Sequence, residues 1–374
     1  MTPIRRSRRN PASLALGLFL ILTAIVPRSP GQEPQAGEEL PAYPDHVRLL
    51  VVRDASGAER PVESVADWAV RRGHVLGHLQ EVMGPFPGPE RRVDLDWKIR
   101  SSHKEKGYTR HKIDFQSEPG DRVPAWLLIP DSRAGEGAVK RPAMLCLHQT
   151  VAIGKDEPAG LGQNPNLDYG RELAERGYVT IAPDYPNFGE YQRDVYAMGY
   201  ASASMKAIWN NTRAVDLLVS LPEVDPGRIG VIGHSLGGHN AIFTALFEPR
   251  IKAVVSSSSF NAFPYYYKGD IAGWSHKGYM PRLRDRYHLD LKQVPFDFPE
   301  LIAALAPRPF FTNSPLHDDN FEVEGVRVCL TAARPVYRLF HAEDDLQAVH
   351  PDAEHSFPPT ARKAAYEFLD RRLK

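Results

Sequence analysis

Arg228-Ile229-Gly230-Val231-Ile232-Gly233-His234-Ser235-Leu236-Gly237-Gly238-His239-Asn240-Ala241-Ile242-Phe243 is the stretch on which the reading of this chain turns. Ile229 to Ile232 is a short β-branched run suited to a buried strand, and Leu236 to Phe247 reads as a helix. Between them stands G-x-S-x-G, as Gly233-His234-Ser235-Leu236-Gly237. Five letters of this kind occur by chance, but strand, sharp turn and helix are the context that a nucleophile elbow requires. A side chain at Gly233 or Gly237 would clash in so tight a turn, which accounts for the two glycines. Ser235 is therefore the candidate nucleophile.

The composition around this stretch is that of an ordinary globular protein. The 374 residues suffice for one large domain or two modest ones, with 42% hydrophobic and 25% charged residues. Formal net charge is zero, so no global field would recruit nucleic acid or an anionic membrane. There are two cysteines. Cys146 lies inside the apolar run Met144 to Leu147 and reads as a buried, inert thiol, with a bridge to Cys329 left open. No C-x-x-C or H-E-x-x-H spacing points to a metal, and no metal or organic cofactor is implied.

Residues 1–31 have the form of an export signal. Arg5, Arg6, Arg8 and Arg9 make a basic start, Leu14 to Val26 an apolar run too short for a comfortable membrane span, and a Pro-rich stretch follows. Ser7-Arg8-Arg9 leaves both general and twin-arginine export open, and an uncleaved signal anchor is the alternative. The mature chain is expected to be exported, periplasmic or extracellular, without a stable membrane span. Residues 32–93 read as a linker and a cap helix over Val62 to Met83, stopped by Gly84-Pro85-Phe86-Pro87-Gly88-Pro89. His74 and His78 stand at i, i+4 on it, but with no third ligand nearby they read as surface or packing residues.

The catalytic domain is read over 94–374. Strands are expected at Leu95–Ser101, Thr109–Gln116, Val123–Pro130, Pro142–His148, Tyr178–Ala182, Ile229–Ile232, Ile251–Ser256, Pro309–Asn313 and Val336–Phe340. The loop Asp131 to Arg141 reads as a hairpin or crossover connection. Helices are expected at Leu167–Arg176, Ala201–Leu221, Leu236–Phe247, Pro299–Ala306, Val323–Ala333 and Thr360–Leu373. Strands alternating with helices imply an α/β fold, a mostly parallel doubly wound sheet with helices on both faces. Residues 257–295 interrupt the rhythm with Phe260, Phe263, Tyr265, Tyr266, Tyr267, Trp274 and Tyr279. This aromatic-rich insertion reads either as a lid or substrate wall, or as a packed loop with its own core.

A serine hydroxyl needs a base to take its proton, and the base needs an orienting carboxylate. On an elbow fold these follow the serine in the order acid, then histidine. Asp318 and Asp319, in the loop after Pro309–Asn313, are the candidate acids, with Asp344 and Asp345 as weaker alternatives. His355 is the candidate base over His350 and His341, since it stands just before the terminal helix. The oxyanion needs backbone N–H donors: Leu236 at the helix start, and Gln149 or Thr150 after the strand Pro142–Leu147.

Leu147-His148-Gln149-Thr150, Gly154-Lys155, Arg176-Gly177-Tyr178-Val179, Ala182-Pro183-Asp184-Tyr185, the elbow and His317-Asp318-Asp319-Asn320-Phe321 together resemble bacterial α/β-hydrolases of the dienelactone-hydrolase and acetyl xylan esterase group. The resemblance runs from about Trp97 to Lys374. It implies the α/β-hydrolase fold, with Asp318 as the acid and His355 as the base. Dienelactone hydrolase itself carries a cysteine nucleophile where this chain has Ser235, which favours an esterase.

The expected protein is thus an exported serine esterase that needs no cofactor. Its substrates would be small-molecule or carbohydrate esters, with acetyl or other acyl groups on plant polysaccharide as candidates. Two alternatives are a serine peptidase of prolyl-oligopeptidase type and a catalytically silent binding protein. The first usually carries a large extra domain for which the residues ahead of position 94 are too few, and the second usually loses one member of the triad.

Overall fold

The computed structural model describes residues 40–132 and 140–374. The leader read at 1–31 and most of the loop read at 131–141 lie outside the described residues. A short antiparallel hairpin, β1 (Val51–Arg53) and β2 (Glu59–Pro61), leads into helix α1 (Val65–Met83). Ser64 and Asp67 cap α1 reciprocally, each side chain accepting from the other's backbone N–H, which satisfies two donors that a helix start leaves open. An antiparallel meander follows: β3 (Lys98–Lys104), β4 (Tyr108–Glu118) and β5 (Asp121–Pro130).

From there strands and helices alternate. They are β6 (Arg141–Leu147), α2 (Tyr169–Glu175), β7 (Val179–Pro183), α3 (Ala203–Ser220), β8 (Val224–His234) and α4 (Leu236–Phe247), then β9 (Ile251–Ser257). After the insertion with its short helix α5 (Arg282–Asp285) come α6 (Phe298–Ala304), β10 (Phe310–Asn313), α7 (Val323–Leu339), β11 (Leu346–Val349) and α8 (Pro359–Leu373). The nine-stranded sheet has the order β11-β10-β9-β8-β6-β7-β5-β4-β3. β6 to β11 run parallel, and β5 runs against β7. This is the doubly wound, mostly parallel sheet expected of an α/β-hydrolase fold.

Period-2 alternation sends the central strands' side chains to two apolar layers. In β6, Ala143, Leu145 and Leu147 join the layer under α1, α3, α4 and α7, while Met144 and Cys146 join the one under α2 and α8. Cys329 of α7 lies in the first layer and Cys146 in the second, so the sheet separates them and both thiols are free. α1 shares the first layer through Trp68, Val75, Leu79 and Met83. It is fastened to α6 by a buried ion pair between Arg71 and Glu300, with His46 Nδ1 2.8 Å from the same carboxylate. His74 Nδ1 meets the Tyr43 hydroxyl at 2.8 Å, and burial pushes the neighbouring His78 down to about 4.

Two expectations are corrected. Val336–Phe340 is not a strand: residues 336–339 continue α7, and the last strand is Leu346–Val349. Pro335 and the β-branched and aromatic residues after it suggest a break. Yet Val326, Cys329, Leu330, Ala333, Val336 and Tyr337 keep helical spacing and are buried. Thr331, whose carbonyl loses its helical donor to Pro335, is exposed, so water can take that bond. Consequently Asp344 and Asp345 precede the last strand rather than follow it. They stand at the end of the sheet opposite to the elbow, where Asp345 pairs with Arg372. His341 likewise follows a helix, not a strand.

The aromatic insertion packs a core of its own and also borders a cavity. Phe260, Phe263 and Trp274 are buried among Phe243, Phe296 and Phe298, whereas Tyr266, Trp274 and Tyr279 also wall a cavity above the sheet. No helix among the described residues is long and apolar enough to cross a membrane.

Removing one partner of a buried ion pair strands the other, at a cost of about 3–5 kcal/mol. Glu300→Gln is therefore expected to lower the unfolding free energy by that order in urea titrations. A change under about 1 kcal/mol would mean that Arg71 finds compensation elsewhere.

Candidate active site

β6 and β8 are neighbours in the sheet, yet the chain runs from β6 to β7 on one side before returning to β8 on the other. The crevice at such a reversal, above the carboxyl ends of the strands, is where open α/β sheets bind ligands. Ser235 stands there, between the end of β8 and the start of α4, with φ 53° and ψ −119°. A serine held at positive φ costs about 1–3 kcal/mol and persists only where its surroundings fix it. They do: the Ser235 N–H donates to the Ser257 carbonyl at 2.8 Å. A Cβ on Gly233 would come within 2.2 Å of the Gly237 carbonyl group, and one on Gly237 within 1.9 Å of the Leu147 carbonyl oxygen.

The loop after β10 brings Asp318 to His355. The imidazole Nδ1 lies 2.9 Å from one carboxylate oxygen of Asp318 and 3.1 Å from the other. The Asp318 side chain is fully buried and also accepts from the backbone N–H groups of Asn320 and Phe321 at 3.0 and 3.1 Å. With its proton on Nδ1 facing the carboxylate, His355 leaves Nε2 with a free lone pair. Asp319 is exposed and lines an outer cleft with Glu354. His350 Nδ1 instead meets the Ser314 carbonyl at 2.9 Å, and His317 pairs with Asp352 at 2.7 Å. Of the acids and bases considered from sequence, the structure joins only Asp318 to His355.

Polar residues that sequence reasoning passed over hold the His355 loop. The Ser356 carbonyl accepts from Asn313 Nδ2 at 2.9 Å and from the Ser258 hydroxyl at 3.3 Å. Asn313 Nδ2 also donates to Ser257 Oγ at 2.8 Å, and Ser257 Oγ meets His234 Nδ1 at 3.0 Å. The His234 ring lies 4.8 Å from that of His355. Burial, with the nearby His355, pushes His234 well below the usual histidine range, so it stays neutral. The available signal was a polar residue ending each apolar strand: His234, Ser257 and Asn313.

Ser235 and His355 open into one cavity of about 310 Å³, which Gln149, Thr150, Tyr266, Trp274, Tyr279, Asn320 and Phe321 also line. Thr150 Oγ1 meets the Tyr279 hydroxyl at 3.2 Å. His239 forms part of the floor, packed against Trp274 and Tyr279 with ring centroids 4.7 and 5.3 Å away. Burial pushes it down to about 3, so it too is neutral. Its ring nitrogens make no well-formed hydrogen bond, a weaker approach to the Ser259 backbone apart. No Lys, Arg, Asp or Glu is among the cavity's described lining residues. Leu236 begins α4 beside the serine, and the Gln149 side chain turns away to Glu157, at 3.2 Å. Burial pushes Glu157 up to about 7. Among the described residues no group of three or more His, Cys, Asp or Glu side chains is arranged to hold a metal ion.

Known proteins resemble this chain in sequence and in fold. Residues 188–341 match the family model described as glucuronyl esterase, fungi. A 4-O-methyl-glucuronoyl methylesterase of Wolfiporia cocos is 26% identical over 48% of this chain and 48% of its own. The protein PA2218 of Pseudomonas aeruginosa is 32% identical over 42% of this chain and 39% of its own. The chain thus matches between about two fifths and one half of the length of these curated relatives. A solved glucuronoyl esterase from Solibacter usitatus superposes with a TM-score of 0.70 at 18% identity, covering 90% of this chain and all of that one. One from Caldicellulosiruptor kristjansonii gives 0.64 at 20% identity over 90% and 91%. The fold is that of the α/β-hydrolase esterases.

Two expectations follow. Asp318→Asn should cut kcat for an ester substrate by about 10⁴-fold, by unsettling the tautomer of its base, while Asp319→Asn stays within about threefold. A larger loss in the latter, measured side by side, would reverse the assignment of the acid. For Glu157, the folded-state carboxyl titrates above its unfolded value. The penalty is absent below the ordinary carboxylate range and grows as pH rises through it toward about 7. Glu157→Gln should accordingly leave stability unchanged at low pH and raise it at pH well above 7. Equal effects at both ends of a pH series of thermal melts would contradict this.

Proposed function

We propose that the protein is a serine carboxylic ester hydrolase acting on carbohydrate esters. The observation that carries this reading is the Asp318 carboxylate on His355 Nδ1, in the cavity that Ser235 enters from its strained elbow. Ser235 Oγ attacks the ester carbonyl while His355 Nε2 takes its proton, and the same nitrogen then protonates the departing alkoxide. Asp318 keeps the other proton on Nδ1 and stabilises the imidazolium that forms. Backbone N–H groups at Leu236 and in the loop after β6 receive the oxyanion, and water repeats the sequence to release the acid.

The cavity suits an uncharged ester. Its aromatic wall of Tyr266, Trp274 and Tyr279 offers faces to a sugar ring, and neutral His239 with Asn320 offers hydrogen bonds to hydroxyls. The named relatives favour glucuronoyl esters, in which the sugar supplies the acid, over acetylated polysaccharide, in which it supplies the alcohol. Export through the leader at residues 1–31 would bring the enzyme to polymeric substrate.

The test is hydrolysis of p-nitrophenyl acetate and of methyl glucuronate by the full chain. Ser235→Ala should lower kcat/KM at least about 10⁴-fold with its circular dichroism unchanged. Undiminished turnover in that variant would end the mechanism. A higher kcat/KM for acetylated xylo-oligosaccharides than for the glucuronate ester would assign the sugar to the alcohol side.

A further inference from the structure

Two backbone amides, those of Gln149 and Thr150, compete to be the second oxyanion donor, and the structure distinguishes them through His148. The Tyr185 N–H lies 2.9 Å from His148 Nε2 and can only donate, so Nε2 is the acceptor. The ring proton therefore sits on Nδ1, 2.6 Å from the Gln149 carbonyl oxygen, and is given to it. His148 is buried, and burial pushes it down to about 4, so this single tautomer holds at working pH. Its partner is fixed in turn. The Asp184 carboxylate accepts from the backbone N–H groups of Lys155 and Glu190 at 2.8 and 2.9 Å and from Lys155 Nζ at 3.0 Å, which leaves the Asp184–Tyr185 backbone little freedom.

A trans peptide points its C=O and N–H in opposite directions, and the Gln149–Thr150 bond is trans. With the Gln149 carbonyl turned inward to His148, the Thr150 N–H is turned away from the buried ring, on the side where Thr150 lines the cavity with Ser235. The preceding peptide has the other sense. The His148 carbonyl oxygen lies 2.8 Å from where a Cβ on Gly237 would stand, so it faces the elbow and the Gln149 N–H faces away from it.

We propose that Thr150, not Gln149, supplies the second oxyanion N–H beside Leu236, and that His148 is the positioning residue that orients it by holding the Gln149 carbonyl. This rests on the serine esterase reading of the site. His148 touches no substrate; it sets the direction of a dipole before the charge develops, so its loss falls on kcat and not on ground-state binding.

The test uses the full chain with p-nitrophenyl acetate. His148→Phe keeps the ring and removes both hydrogen bonds; it should lower kcat about 10²–10³-fold with KM within about threefold. His148→Asn restores a donor near the Nδ1 position and should recover at least about tenfold of that loss. Should His148→Phe not fold, replacing the Thr150 amide alone by a backbone ester removes its N–H and weakens the Gln149 carbonyl that His148 holds, and should give the same fall in kcat. The same replacement at Gln149 should leave kcat within about threefold of wild type. A near-wild-type Thr150 ester, or a Gln149 ester that falls equally, overturns the assignment. So does a loss in His148→Phe carried by KM. Ser235→Ala run alongside separates the two failures: activity without the serine refutes the site itself, whereas an inactive Ser235→Ala with an active Thr150 ester refutes only this inference.

Discussion

The elbow of this protein works because two backbones touch where no side chain can stand. Leu147 at the end of β6 and Gly237 in the first turn of α4 are so close that a Cβ on the glycine would lie 1.9 Å from the Leu147 carbonyl oxygen. That approach pins the start of α4 against the loop that carries Gln149 and Thr150. It leaves Ser235 as the residue that must absorb the turn, at positive φ, with its side chain delivered to the cavity. The sheet order makes the contact possible, since β6 and β8 are neighbours only because the chain crosses over after β7. Strain in one residue is thus sustained by the packing of the strands and helix around it.

Around that contact, the strand ends act as sockets. β8 ends in His234, β9 in Ser257 and β10 in Asn313, and the three are joined by hydrogen bonds that reach the Ser356 carbonyl beside His355. Apolar strands bring polar termini to one edge of the sheet, and those termini bond to one another because water is excluded there. Neutral His234 under the His355 ring places no charge beside it. Asp318 is likewise held from three sides, by two backbone N–H groups and the imidazole.

Much of this was legible in the sequence, for a physical reason. Glycines at 233 and 237, a β-branched strand before them and a helix after them form a local pattern whose geometry is nearly forced, and α4 begins and ends where its pattern does. The order of the acid and base loops followed from the alternation of strands and helices. What was illegible depended on partners distant in sequence. Val336 and Tyr337 look like strand residues until their spacing is joined to Val326, Cys329 and Ala333, and Leu346–Val349 is too short and too weakly patterned to announce itself as an edge strand. The choice between Asp318 and Asp319 is a matter of which adjacent side chain turns inward. No periodicity records that. His148 read as the end of a strand because its two partners, Tyr185 and the Gln149 carbonyl, meet it only in the fold.

The central claim is that Ser235 becomes covalently acylated during turnover. Rapid quenching of the full chain during hydrolysis of a p-nitrophenyl ester, followed by peptide mass spectrometry, tests it most directly. The acyl mass is expected on the peptide containing Ser235, and should disappear in Ser235→Ala together with turnover. An acyl group trapped on a different residue, or sustained hydrolysis by Ser235→Ala, would contradict it.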